Sequence, residues 1–336
     1  MRPRLALLLT LSLTAMVLGG NARAADVVMK LGSITINDIQ HAFCDKLEAE
    51  LEQRSGGRID VQVFPAGQLG SIQRQIEGLQ FGTQEAFVSP PGFFTGIAPE
   101  LQVADAPGLF RNMDDAHRIV THPLFREPFL RAPEGAGIVG AGIFIHGPHV
   151  IATVPAVRSL ADLRGKKIRV LASELESALA ARLGMTGVPM GFGEVLPALQ
   201  QGTIDGVRTN MGVMTGMKFY DTTKHVVLTH AGMIAVGVWY SKFWLDALPA
   251  DLRELVVSTT AALEGWATEE AKKREAAALE IWRDHGVNFV ELPLPEQAAM
   301  FDQLRPLGDQ YLGKGGATKQ MYEALKAAAS ASRTDG

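Results

Sequence analysis

Residues 166–220 hold the side chains best suited to gripping a small charged molecule. They read KKIRVLASELESALAARLGMTGVPMGFGEVLPALQQGTIDGVRTNMGVMTGMKFY. In 167–171, Ile168 and Val170 share one face of an extended chain and Arg169 takes the other. A guanidinium offers a planar fork that binds a carboxylate through two parallel hydrogen bonds. Inside a sheet covered on both faces, such a cation is costly unless it meets an anion. Two readings of Arg169 stand on pattern alone, a solvated edge arginine and a carboxylate ligand at the end of a strand.

No other constellation offers chemistry of comparable clarity. There is no Gly-x-Ser-x-Gly elbow, and Cys44 is a lone cysteine in an amphipathic helical pattern with no base nearby. His230 and Asp221 form an acid–base pair only by residue type. Two histidines in the turn His146-Gly147-Pro148-His149 are half a zinc site, and no Cys, His or carboxylate cluster nearby in sequence completes it. His149 reads instead as a hinge or ligand-facing residue. Gly135, Gly137 and Gly140 spell a dinucleotide fingerprint, but a strand-like run follows where a helix is required. The pattern is that of a site that holds an anion without transforming it, with no cofactor and no metal expected.

The elements that must position Arg169 follow from periodicity. Runs at 27–31, 58–64 and 85–89 read as strands, and 38–54 and 70–81 read as helices closed by glycines. A β-α-β-α-β order implies a parallel sheet with helices on its faces. The phrase Gly78-Leu79-Gln80-Phe81-Gly82-Thr83 returns as Ala198-Leu199-Gln200-Gln201-Gly202-Thr203, each closing a helix before a new strand. Two lobes of similar build are expected, with a cleft facing the strand C-terminal ends. Residues 251–285 carry a helical pattern, read either as one helix crossing both lobes or as two with a break near Glu264-Gly265. The tail 330–336 is expected to be loose.

Residues 1–24 read as a secretory signal, with Arg2 and Arg4, an apolar run over 5–18 and Ala22-Arg23-Ala24 before the cut. Cleavage removes three arginines and leaves 29 Lys+Arg against 36 Asp+Glu, a formal charge of −7. That balance argues against nucleic-acid or anionic-membrane partners. A soluble periplasmic monomer of 312 residues is expected.

The chain also resembles a known family. Phe64-Pro65 with Gln68-Leu69-Gly70, the run from Leu163 through Val170, Pro189-Met190, Phe192, Glu194-Val195, Asp205-Gly206 and Phe219-Tyr220 occur in the order and spacing of its motifs. They are similar to those of the solute receptors of tripartite ATP-independent periplasmic (TRAP) transporters, of the dicarboxylate-receptor-like kind. The resemblance implies an α/β, two-lobed periplasmic binding protein fold, with an interlobe ligand cleft and a long lobe-spanning helix. It implies that Arg169 pairs with the carboxylate of a small organic acid and that Phe192 lines the cleft. Trp239 is expected as a second apolar wall, and His149, Arg208, Thr209 and Asn210 as the residues that tune which acid fits. Two departures from sialic-acid-type members stand out. His149 occupies the position of a second arginine, and Arg208-Thr209-Asn210 replaces Glu-Asn-Pro. Both fit a more negative ligand, or an Arg208 that takes over part of the missing arginine's role.

Expected lobe boundaries are 25–146 with 235–274, and 147–234 with 275–336. The expected function is delivery of the acid to a TRAP-type membrane permease. The alternatives are a secreted α/β enzyme acting on a small carboxylic acid, and a receptor for an ATP-driven importer.

Overall fold

The computed structural model describes residues 25–334, so the expected signal segment 1–24 lies outside the described residues. The first lobe opens with β1 (Val27–Ser33), α1 (Ile39–Ser55), β2 (Ile59–Phe64), α2 (Ile72–Phe81) and β3 (Ala86–Ser89). Helices α3 (Met113–Thr121) and α4 (Pro123–Arg131) precede β4 (Ile138–Pro148) and β5 (Val150–Thr153). The second lobe repeats the opening with β6 (Lys167–Val170), α5 (Glu174–Arg182), β7 (Thr186–Pro189), α6 (Phe192–Gln200) and β8 (Gly206–Thr209). Then come α7 (Met211–Gly216), β9 (His225–Leu228), β10 (Met233–Ser241), α8 (Lys242–Ala247), α9 (Ala250–Ala262) and α10 (Glu264–Asp284). The chain ends with β11 (Asn288–Glu291), α11 (Leu294–Leu307) and α12 (Gly316–Thr334).

Two sheets result, in the orders β2-β1-β3-β10-β4 and β11-β9-β5-β8-β6-β7. Each contains three parallel strands with the first in the middle, flanked by an antiparallel fourth. The sequence echo marks this duplication. Gly82 and Gly202 both adopt φ 70° at the ends of α2 and α6. Thr83 and Thr203 then donate their backbone N–H groups to Gly78 and Ala198, at 2.9 and 3.0 Å. A left-handed residue at a helix end satisfies the last carbonyls, and glycine adopts it without a Cβ penalty.

The lobes share four connections, the last being residues 308–315 between α11, which packs on α5, and α12, which packs on the first lobe. Strand β4 in the first sheet passes through His149 into β5 in the second, and β9 returns through 229–232 into β10. The third is α10. Near its start, Glu264 accepts hydrogen bonds from the Ile143 N–H and from Arg126, both at 2.9 Å. Near its end, Trp282 donates to Thr215 of α7 at 2.8 Å. Its 21 residues span about 30 Å, enough to bridge both lobes. The helical run over 251–285 is therefore two helices, divided at Leu263 (φ −87°, ψ −8°) one residue before the expected break, and the second alone crosses the lobes.

Two expectations fail at the C-terminus. The segment 275–336 does not stay on the second lobe, because α12 packs against α3, α4 and the turn Pro99–Asp105. The tail is helical through Thr334. Its anchor is Asp115, whose buried carboxylate accepts hydrogen bonds from Arg333 at 2.8 Å and from Arg111 at 2.9 Å. Burial alone would raise that carboxyl's pKa, but the guanidinium and backbone hydrogen bonds outweigh it and hold it well below the usual range.

Replacing Arg333 by alanine removes a charge-assisted contact to a buried carboxylate. The expected loss is about 1–2 kcal/mol, seen as a fall in melting temperature of a few degrees for a chain of this size. An unchanged melting curve would show that α12 is held by its apolar face alone.

Candidate ligand-binding cleft

The parallel strands of both lobes point their C-terminal ends at one another. Thr35 just beyond β1, Ser89 at the end of β3, Arg169 in β6 and Thr209 at the end of β8 all line one inner cavity. Apolar walls come from Ile34, Phe93, Phe192 and Val213. Ile34, Phe93 and Phe192 also border an outer space of about 630 Å³ lined from both lobes. At its rim the hydroxyl of Thr95 reaches the carbonyl of Ala172 at 3.4 Å. Ligands of open α/β sheets bind at such strand ends because the backbone there stops pairing and side chains converge.

Arg169 is fully buried. Its Nε donates to the Met190 carbonyl at 3.1 Å, which fixes the plane of the guanidinium. Its Cζ lies 4.9 Å from the centre of the Phe192 ring, a cation–π distance. Both terminal nitrogens, Nη1 and Nη2, are buried without a hydrogen-bond partner. Burial lowers its pKa to about 10, with Glu176 opposing and Arg208 adding to the shift, so it remains a cation at neutral pH. A fixed, desolvated fork with two free donors is complementary to a carboxylate. Phe192 begins α6 and stacks on Phe219, with ring centres 5.5 Å apart.

The remaining expected residues divide. Thr209 reaches the cavity. Asn210 caps α7, its side-chain oxygen accepting from the Val213 N–H at 2.8 Å. Arg208 is turned away from the cavity. Its guanidinium pairs with Glu176 and donates to the Ala231 carbonyl at 2.6 Å, so it does not stand in for a second ligand arginine. Trp239 is a correction too. It is fully buried in the first lobe against Phe94 and Phe129, and its indole donates to the Ser89 carbonyl at 3.0 Å. It lies behind the cleft wall because β10 is an interior strand of its sheet, buried along its whole length.

His149 is the pivot between the sheets. Its N–H donates to Gly232 and its carbonyl accepts from Thr229, each at 3.0 Å. Its buried ring lies 3.9 Å from Glu176. Burial, then Arg208 and Arg169, push its pKa well down, so the imidazole is neutral. Tertiary folding brings Asp105 and Glu176 to this histidine, with ligand atoms of all three within 4.8 Å. The turn thus has the carboxylate neighbours that local sequence did not supply. The positive charge of Arg208 on Glu176 opposes a metal ion there.

Several cavity residues were given no ligand role by the sequence reading, namely Thr35, Gln40, Ser89 and His146. The place of Thr35, Ser89 and His146 near strand ends was the available signal, while Gln40 lies in the first turn of α1. Glu176 was masked by its spacing, since Ser173-x-x-Glu176 reads as a local helix start. Ser173 does cap α5, accepting from the Glu176 N–H at 3.2 Å, but the Glu176 carboxylate goes to Arg208.

A duplicated α/β pair of lobes, four crossings and a buried arginine fork between them define a solute receptor. Residues 33–314 match the model of the bacterial extracellular solute-binding protein, family 7, and the chain belongs to that family. It is 28% identical to the C4-dicarboxylate-binding periplasmic protein DctP of Rhodobacter capsulatus, over 91% of this chain and 92% of that one. A TRAP periplasmic solute-binding protein from Desulfovibrio salexigens, solved with orotic acid, superposes with a TM-score of 0.85 at 24% identity, covering 91% of this chain and 99% of that one. Another from Shewanella oneidensis, with succinate, gives 0.83 at 25% identity, covering 90% and 99%.

The cluster beside the fork makes stability depend on pH. Asp105 is buried, faces Glu176, Arg208 and His149, and accepts from the Ser173 hydroxyl at 3.5 Å. Burial and the Glu176 charge raise its pKa well above the usual value, against the opposing effects of Arg208 and Ser173. A carboxyl whose folded pKa is raised favours the folded state at low pH. That contribution is lost as pH climbs from about 4, the unfolded value, through the raised folded value. Asp105→Asn is expected to melt higher than wild type at pH 8, with the gap closing toward pH 4. A constant gap from pH 4 to 8 would mean that Asp105 is ionised throughout.

Proposed function

We propose that this chain is a periplasmic, monomeric, non-enzymatic receptor that closes on a small organic acid and delivers it to a TRAP-type permease. In this reading residues 1–24 direct export. Arg169 anchors the carboxylate, Phe192 walls its apolar part, and Thr209 contacts the far side of the cavity. Arg208, His149 and Asn210 act behind these contacts, setting the hinge and the start of α7. The observation that carries the proposal is the Arg169 fork, fully buried between two lobes with both Nη groups unpartnered. The acids bound by, or named for, the relatives described above support the same ligand class. The family is one of substrate-binding receptors, which favours binding over the secreted-enzyme alternative. The ligand touches both lobes only when they close, so it shifts the population toward the closed form.

Calorimetric titration of ligand-stripped protein with organic acids tests the anchor. Arg169→Ala should weaken binding by about 30-fold or more, equivalent to at least ~2 kcal/mol for a desolvated charge pair. Arg169→Lys keeps the charge but loses the fork, and should fall between the two. Unchanged affinity in Arg169→Ala would remove Arg169 from the site. Recovery of a chemically altered acid after long incubation would restore the enzyme alternative.

A further inference from the structure

The chemistry of the cavity goes further and selects among organic acids. We infer that the cleft takes a hydroxylated monocarboxylate in preference to a dicarboxylate. This rests on Arg169 being the carboxylate anchor.

A second buried carboxylate without a second cation costs several kcal/mol even after relaxation, and hydrogen bonds from neutral donors offset that cost only in part. Of the residues lining the inner cavity, Arg169 alone is a lysine or arginine. None lines the outer space, where Glu194 adds a negative charge. Arg208, whose charge acts on Arg169, is held by Glu176 and the Ala231 carbonyl. Arg208 and Glu176 balance one another, so Arg169 is the guanidinium of this group whose two Nη atoms have no partner.

The wall facing Arg169 is polar but uncharged. Thr35, Ser89, Gln40 and His146 of the first lobe line it. The hydroxyls of Thr35 and Ser89 and both ring nitrogens of His146 are buried without a hydrogen-bond partner. Burial lowers the His146 pKa to about 4, with Asp38 opposing and Arg274 adding, so the ring is neutral and offers one donor and one acceptor. Hydroxyls, an amide and a neutral imidazole each donate and accept. Ligand hydroxyls do the same, whereas a carboxylate only accepts. Buried polar groups left unpaired also reject an analogue that lacks the matching hydroxyl. Ile34, Phe93 and Val213 add apolar lining to the same cavity and suit the carbon chain.

The test uses matched pairs on ligand-stripped protein at pH 7.5. Succinate is compared with 4-hydroxybutyrate, and L-malate with 3,4-dihydroxybutyrate, so that each pair exchanges one carboxylate for a hydroxymethyl group. Butyrate reports binding without the hydroxyl, and D-erythronate and D-gluconate extend the chain. The hydroxylated monoacid of each pair should bind at least tenfold tighter than its dicarboxylate. Thr35→Val with Ser89→Ala should bring its affinity down toward that of butyrate. Succinate or malate binding as tightly or more tightly overturns the inference. If Arg169→Lys still weakens those dicarboxylates, the receptor reading survives on its own. If no acid of any set binds the stripped protein, both fall together.

Discussion

A buried guanidinium with half of its donors unused is the constraint on which this molecule turns. Arg169 has given up its water and recovered one hydrogen bond, from Nε to Met190, and one aromatic face, from Phe192. Met190 lies in the short connection between β7 and α6 and Phe192 begins α6, so the turn that follows β7 fixes the direction of the fork. The sheet holds the arginine at the mouth of β6, between β7 and β8. What remains unsatisfied faces the other lobe. Much of the architecture can be understood as a way to keep this cation dry, oriented and unpaired until an anion arrives.

Duplication explains how two lobes meet in this way. Each repeats a parallel β-α-β-α-β unit whose strand ends carry the polar cavity residues, Thr35 and Ser89 on one side, Arg169 and Thr209 on the other. The crossings set how the units approach. Two are extended strands pinned at His149 by hydrogen bonds to Gly232 and Thr229. The third is α10, clamped by Glu264 on one lobe and Trp282 on the other. Extended segments bend at few residues, which suits a hinge, while a helix of about 30 Å keeps the lobes at a set distance.

Beside the fork lies a second charge system whose members do not line the cavity. Arg208, Glu176, Asp105 and His149 come from β8, α5, the turn Pro99–Asp105 and the pivot. They partly neutralise one another, which removes an apparent second anion site from the cleft. The arginine in the Arg208-Thr209-Asn210 segment therefore does not make the cavity more positive. Its partner was in place already, one turn inside α5.

Sequence by itself determined what is local. The strand alternation around Arg169, the helix caps, the paired Gly-Thr turns and the order of elements are set by contacts over a few residues, and they are legible in composition and period. So is the duplication, because it repeats a local phrase. Tertiary structure decided the partners. Arg208 meets Glu176 across 32 positions and Arg333 meets Asp115 across 218. Trp239 sinks into a core because β10 is covered on both sides, which its residue type does not announce. Thr35, Gln40, Ser89 and His146 are ordinary polar residues until strand ends from opposite lobes converge. Pairing of buried charges is decided by which surfaces the fold brings together, and that is a property of the packed chain rather than of any segment of it.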